Sequence, residues 1–375
     1  MPDSRLMREL SPNERPVFPS DPLLRYFGRR DDRNPDAPRL SFVLSGFCFH
    51  VSAGPCYLLL ENRRAYWKNY LGLTVNGRLY TLPLEDNGLQ KIDLTPFLGG
   101  ACAEVSVFKQ MDACHELTFY GMITGPDVVL SRAAGPCARR IEVYGDSVSA
   151  GEVTEAIAFT GRPDPEHNGE FSNGYWSFAA QTARLLGAEL NCVAQGGIAL
   201  EDGRGYFNPP RYSGMLSCFD KAAYNEAFGP SVPWDFSRYR PHVVVVALGQ
   251  NDAHPYDFMR DDPDGEEAAR WRAHYAQLVK SLRAVYPRAY ILLTTTVLMH
   301  EKAWDDAITR VARELNDPRV RRFLYSRNGA ATPGHPRVGE QAEMAFELTR
   351  EILSLGDGVW EDEPLDAQGS GTASR

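Results

Sequence analysis

The stretch whose reading decides the fold is Arg140-Ile141-Glu142-Val143-Tyr144-Gly145-Asp146-Ser147-Val148-Ser149-Ala150-Gly151. An alternating, β-branched run stops at Gly145, and short polar residues follow where a helix would start. That pattern predicts a strand with Ser147 at its C-terminal tip. Open α/β sheets place their chemistry at such tips. A serine there has free backbone N–H groups around it and a helix dipole behind it, which suits an attacking oxygen and the oxyanion that follows attack. Asp146 or Ser147 capping a helix would leave the same trace in the sequence. The assignment therefore depends on what the rest of the chain brings to this tip.

Downstream, strand and helix patterns alternate. Ile141 to Gly145, Leu190 to Ala194, His242 to Gly249, Tyr290 to Val297 and Val320 to Tyr325 read as strands. The third is apolar on both faces, as a central strand of a parallel sheet is. Helices are predicted from Tyr175 to Leu186, Gly265 to Tyr286, Trp304 to Leu315 and Val338 to Leu353 by their apolar spacing. Five parallel strands with crossover helices make a flavodoxin-like three-layer α/β domain over 135–357.

Upstream, the pattern is different. Short alternating runs at 40–44, 47–51, 56–61, 70–75, 78–83, 90–94, 104–109 and 117–123 are separated by turn residues, Asn76-Gly77 and Asn87-Gly88 among them. These strands without a helix predict an all-β sandwich, of jelly-roll type, over 39–134. Residues 1–38 read as an irregular lead-in, and 358–375, with its Gly/Ser run at 368–374, as a flexible tail.

Composition narrows the function. In 375 residues a 43% hydrophobic and 24% charged share is that of a globular protein. The net charge of -9 argues against nucleic acid, which requires a basic face. The longest apolar run, Val243 to Leu248, is far short of a spanning helix, so no membrane partner is expected. The first residues lack the basic-then-apolar pattern of a secretory signal, and a cytoplasmic location is the expectation. Seven cysteines show no Cys-x-x-Cys pair and read as small buried hydrophobes, with a Cys102–Cys114 disulfide left open. No His/Glu spacing suggests zinc, no carboxylate pair has glycosidase logic, and no cofactor is expected.

Three more stretches follow predicted strands. Ala194-Gln195-Gly196-Gly197-Ile198 offers open backbone N–H groups, Gly249-Gln250-Asn251-Asp252 an amide donor, and Ala331-Thr332-Pro333-Gly334-His335-Pro336 a rigidly held imidazole. Each has a structural explanation when taken alone. Converging at one edge of one sheet, they assemble a hydrolytic site.

With those residues in view, the chain resembles the SGNH hydrolases, also called GDSL esterases. Gly145-Asp146-Ser147 is similar to their first block, Gly196 to the second-block glycine with Gly197 as fallback, Gly249-Gln250-Asn251-Asp252 to the Gly-x-Asn-Asp block, and His335 to the final histidine. Arg25-Tyr26-Phe27-Gly28-Arg29, Lys109-Gln110-Met111 and Gly334-His335-Pro336 further resemble carbohydrate esterase family 2, in which a β-sandwich precedes an SGNH domain. The resemblance runs from about residue 22 to 355. It implies a serine esterase acting on O-acetylated oligosaccharides or polysaccharides of xylan or mannan type. Ser147 would be the nucleophile and His335 the base, and Ser147, Gly196 and Asn251 would form the oxyanion hole. A general short-chain or lipid ester hydrolase, and a non-catalytic carbohydrate-binding protein, are the other readings this fold allows.

One position departs from the SGNH pattern. Thr332 stands where an Asp three residues before the histidine is usual. The imidazole must then be oriented by a backbone carbonyl or by an acid from elsewhere, and the loop acids near the site, Asp252 and Asp257 among them, are expected to be dispensable. Trp176, Tyr206, Trp234, His254, Tyr256 and His300 are candidate substrate contacts, and His167 lies in the loop after the nucleophile. The β-sandwich, which ends a few residues before the predicted Ser147 strand, is expected to pack on the catalytic sheet, either walling one side of the substrate cleft or serving as a scaffold that only covers apolar surface. Oligomeric state is not legible.

Overall fold

The computed structural model describes residues 4–99 and 102–362. The run at 368–374 lies outside them. Two antiparallel sheets form an N-terminal sandwich. One holds, in order, Arg15–Val17, His115–Thr124, Cys56–Arg64 and Asn87–Asp93, with Arg39–Leu40 also on His115–Thr124. The other holds Leu130–Ser131, Gly46–Val51, Ala103–Lys109, Tyr70–Val75 and Arg78–Pro83, with Arg25–Phe27 on Gly46–Val51. Inward-facing Phe47, Phe49, Leu58, Leu73, Val105 and Phe119 make its core. Phe47 and Phe119 stack across the two sheets at 4.2 Å.

Two parts of the sandwich differ from the expectation. The run at 40–44 pairs only through Arg39–Leu40. The chain then turns, with Leu44 at φ 61 and the Ser45 N–H donating to the Phe42 carbonyl. Phe42 and Val43 instead pack against the C-terminal α/β unit, where Phe42 stacks on Tyr224 at 4.5 Å. Asn87-Gly88 is not a turn but the start of a strand, opposite Arg63 and Asn62. The lead-in contributes Arg15–Val17 and Arg25–Phe27 to the two sheets.

The second unit is a five-stranded parallel sheet in the order Ala188–Ala194, Arg139–Gly145, Val243–Ala247, Tyr290–Thr294, Val320–Arg322. Arg139–Gly145 and Val243–Ala247 flank the switch point of this order, where ligands bind in such folds. Tyr144, Val244, Val246, Ile291 and Leu293 point to one face, under the helices Glu266–Val285 and Lys302–Leu315. Val143, Val243, Val245 and Leu292 point to the other, under Phe178–Leu186 and Val338–Ser354. All five residues of the central strand Val243–Ala247 are buried, as the continuous apolar run requires. Among the described residues no helix is long and apolar enough to cross a membrane.

Candidate active site

The strand Arg139–Gly145 ends at Gly145, where a side chain would lie 2.0 Å from Ser149 Oγ, so glycine lets the Ser149 side chain pack against the strand end. Asp146 is extended and caps the short helix Ser147–Ala150, its Oδ1 accepting the Val148 N–H at 3.1 Å. Its Oδ2 accepts from Gln250 Nε2 at 2.9 Å, which ties the nucleophile turn to the Gly249-Gln250-Asn251 loop. Asp146 is therefore structural, and Ser147 carries the free hydroxyl.

His335 Nε2 lies 2.7 Å from Ser147 Oγ. Its Nδ1 lies 2.6 Å from Asp164 Oδ2, an assignment that makes Nδ1–H the donor and Nε2 the acceptor of the serine hydroxyl. The acid from elsewhere is thus Asp164, in the Arg162-Pro163-Asp164-Pro165 loop. It is not Asp252, whose carboxylate accepts from Leu200 N–H and Trp271 Nε1, nor Asp257, which accepts from Trp304 Nε1 and caps Phe258–Asp261. Asp164 Oδ1 accepts the His335 N–H at 2.9 Å and faces Arg337 Nη1 at 2.8 Å. Burial opposes ionisation of Asp164, but hydrogen bonds from His167, His335 and Arg337 outweigh it and hold the carboxyl well below the usual range. Thr332, in the place of the usual acid, is buried, and its hydroxyl has no hydrogen-bond partner among the described residues.

The oxyanion side differs from the expectation at one donor. The Gly196 N–H is already donated to Asp112 Oδ2 at 2.8 Å, which also accepts from Gln195 Nε2 at 2.9 Å. Asp112 comes from the sandwich, where Lys109-Gln110-Met111-Asp112 leaves the strand Ala103–Lys109. The N–H groups of Gly197 and Ser147 make no hydrogen bond among the described residues, so the fallback glycine is the available one. Asn251 Nδ2 spends one proton on the Ile198 carbonyl at 3.0 Å, which orients the amide and leaves its second N–H. Glu152 packs against Gly196 and Asp112. Burial and the Asp112 charge raise its carboxyl well above the ordinary range.

Ser147, His335, Asp164, Gly196, Gly197 and Asn251 open on a cleft of about 520 Å³. One wall is Ala65, Tyr66 and Trp67 of the sandwich, between its strands Cys56–Arg64 and Tyr70–Val75. Tyr206, Asn208 and Pro209 form another. Of the aromatic candidates, Tyr206 alone lines this cleft, 58% exposed and backed by the His254 ring at 4.2 Å. The others are turned elsewhere. Trp176 Nε1 is bound to Glu155, Trp234 is buried against Arg29 and Arg238, and His300 is held by the Leu298 carbonyl and Asp305. Tyr256 lines a separate depression of about 540 Å³ with Arg204 and His274, which holds no nucleophile. Tyr66, Trp67 and Asp164 carried no sequence signal of their own, because they reach the site from loops of unrelated position.

Asp164, His167 and His335 also offer metal-ligand atoms within 4.8 Å of one another. Both imidazoles are already hydrogen-bonded to one carboxylate oxygen, so protons satisfy this donor set and a cation would have to dismantle it. All seven cysteines are unpaired.

No family model matches the chain. It is similar to the acetylxylan esterase / glucomannan deacetylase of Cellvibrio japonicus, 24% identical over 351 residues that cover 91% of each chain. It is 26% identical over 347 residues to the cellulase/esterase CelE of Acetivibrio thermocellus, which covers 88% of this chain and 39% of that one. Among solved structures, a family two carbohydrate esterase from Clostridium thermocellum in complex with cellohexaose matches with a TM-score of 0.73 at 24% identity. That match spans 90% of this chain and 100% of the other.

Proposed function

We propose that this chain is a carbohydrate esterase of family 2, a serine esterase removing O-acetyl groups from acetylated oligosaccharides or polysaccharides of xylan or mannan type, a reading supported by the two-part fold that 90% of its length shares with a solved family two carbohydrate esterase. The observation that carries the reading is the Ser147–His335–Asp164 relay, with contacts of 2.7 and 2.6 Å, opening into a cleft walled by both domains. Ser147 Oγ attacks the acetyl carbonyl as His335 Nε2 takes its proton, while Asp164 fixes the tautomer and stabilises the imidazolium. The oxyanion is received by the Ser147 and Gly197 N–H groups and the second N–H of Asn251. His335 then protonates the departing sugar hydroxyl, and water clears the acyl-enzyme by the reverse sequence. Aromatic and amide side chains on the walls suit the apolar faces and hydroxyls of a sugar.

The test is acetate release from acetylated xylan and glucomannan oligosaccharides, run beside a chain-length series of simple esters. Release from the sugars that disappears in Ser147→Ala is expected. Turnover of long acyl esters with none of the sugars would replace this reading by a lipid esterase.

A further inference from the structure

The catalytic relay does not end at Asp164. Its Oδ2 accepts from His335 Nδ1 at 2.6 Å and also from His167 Nε2 at 3.2 Å. The two imidazole rings sit 5.3 Å apart, edge to face, over that one oxygen. On its far side His167 Nδ1 lies 3.8 Å from Glu152 Oε2, and Glu152 in turn packs on Gly196 and Asp112. From the sandwich, Trp67 closes on the His167 ring at 5.8 Å, and the Lys68 N–H binds the Asn168 carbonyl next to it. Gly169 permits this approach, since a side chain there would lie 2.3 Å from the Lys68 carbonyl. Side chains thus run from Ser147 through His335, Asp164 and His167 to Glu152 beside the Gly196-Gly197 loop.

We propose that His167 is a positioning residue of the esterase, sharing Asp164 with the catalytic histidine and coupling the base to the Glu152–Asp112 pair beneath the Gly196-Gly197 loop. The inference rests on the Ser147–His335 reading. A carboxylate oxygen that must serve two imidazoles is fixed in direction, because Arg337 and the His335 N–H hold the other oxygen. It is also partly spent. Removing the His167 donor leaves more of the Asp164 charge for the His335 imidazolium, which favours the protonated, inactive base. The charged or titratable groups facing His167 are Asp164 and His335 on one side and Glu152, with Asp112 behind it, on the other. Arg337 acts through Asp164, and Lys68 is paired with Glu170.

Three variants separate positioning from packing. Gln places its amide nitrogen near the site of Nε2, Asn near that of Nδ1, and Ala supplies neither. For His167→Ala and His167→Asn, kcat is expected to fall about 10- to 100-fold with KM little changed, and the acid limb of kcat/KM to move to higher pH. His167→Gln should restore both kcat and the limb. Should the alanine variant fail to fold, the Asn and Gln pair carries the comparison. Equal behaviour of Gln and Asn, or a change confined to KM, overturns the proposal and makes His167 part of the cleft wall. Unchanged kinetics in all three variants, with activity lost in Ser147→Ala, overturns it alone. Full activity in Ser147→Ala overturns the reading beneath it.

Discussion

At Asp164 four polar groups converge on two carboxylate oxygens, and the energetic consequence is a carboxylate that stays ionised throughout the range in which an imidazole titrates. Its folded-state pKa lies below the unfolded value. Its contribution to stability is therefore present above about pH 4 and is lost as pH falls through the lower folded value. Activity lost on mild acidification then reports the base and not this acid. Asp164→Asn keeps the shape but donates where it should accept, stabilising the wrong tautomer of His335. We expect kcat to fall by about 10⁴-fold with the fold intact, the scale known for neutralised triad acids. A loss below tenfold in steady-state assays would mean that the His335 ring is oriented by something else. Ser147 and Asn251 were legible in the sequence because each follows a strand end in a patterned block, and His335 because its Pro-Gly-His-Pro loop runs straight into a clear helix. Asp164 was not, since it lies 171 residues from the histidine it orients, in a loop with no periodicity. Asp252 and Asp257 are turned to other N–H donors, away from His335, whereas Asp164 is the loop acid that His335 reaches.

Among the elements, the loop 331–337 and the loop 162–169 are built to meet. A Cβ on Gly334 would lie 2.6 Å from both the Arg162 carbonyl and Asp164 Oδ1. This glycine is the trace that the hidden acid leaves in the sequence, and it is readable only once its neighbour is known. Gly334→Ala must push Asp164 away from His335, so kcat should drop about 10- to 100-fold while the melting temperature changes little. Near-normal kcat in a folded Gly334→Ala protein would show that the two loops can separate without cost to the relay. The strands and long helices were readable because their periods are strong. The short Leu40–Leu44 run misled because its apolar residues face a second domain, and Asn87-Gly88 because turn-forming residues also suit the entry of an edge strand.

On the scale of the whole molecule, the sandwich is part of the site and not an appendage. Arg29, from the lead-in, is 1% exposed and binds Glu142 on the nucleophile strand at 3.0 Å, with Glu142 itself 0% exposed. Arg25 pairs with Glu189 on the neighbouring strand, Asp112 engages Gly196, and Trp67 reaches the cleft. The blocks around Arg29 and Lys109 that resembled the esterase family are thus the contacts that join its two halves. A chain begun at about residue 136 removes the guanidinium that neutralises Glu142, a loss of about 3–5 kcal/mol where the charge stays out of water, so we expect it to be insoluble or to lack a cooperative unfolding transition. A folded fragment with full sugar deacetylation would refute the joint site. The most direct test of the central claim is to mix the full chain with an acetylated xylan oligosaccharide, quench within the first turnovers, and locate new mass by peptide mass spectrometry. Acetyl carried on the peptide containing Ser147, chasing into free acetate and absent from Ser147→Ala, is the result predicted. Acetate released at the same rate with no acetyl on Ser147, or undiminished in Ser147→Ala, would contradict it.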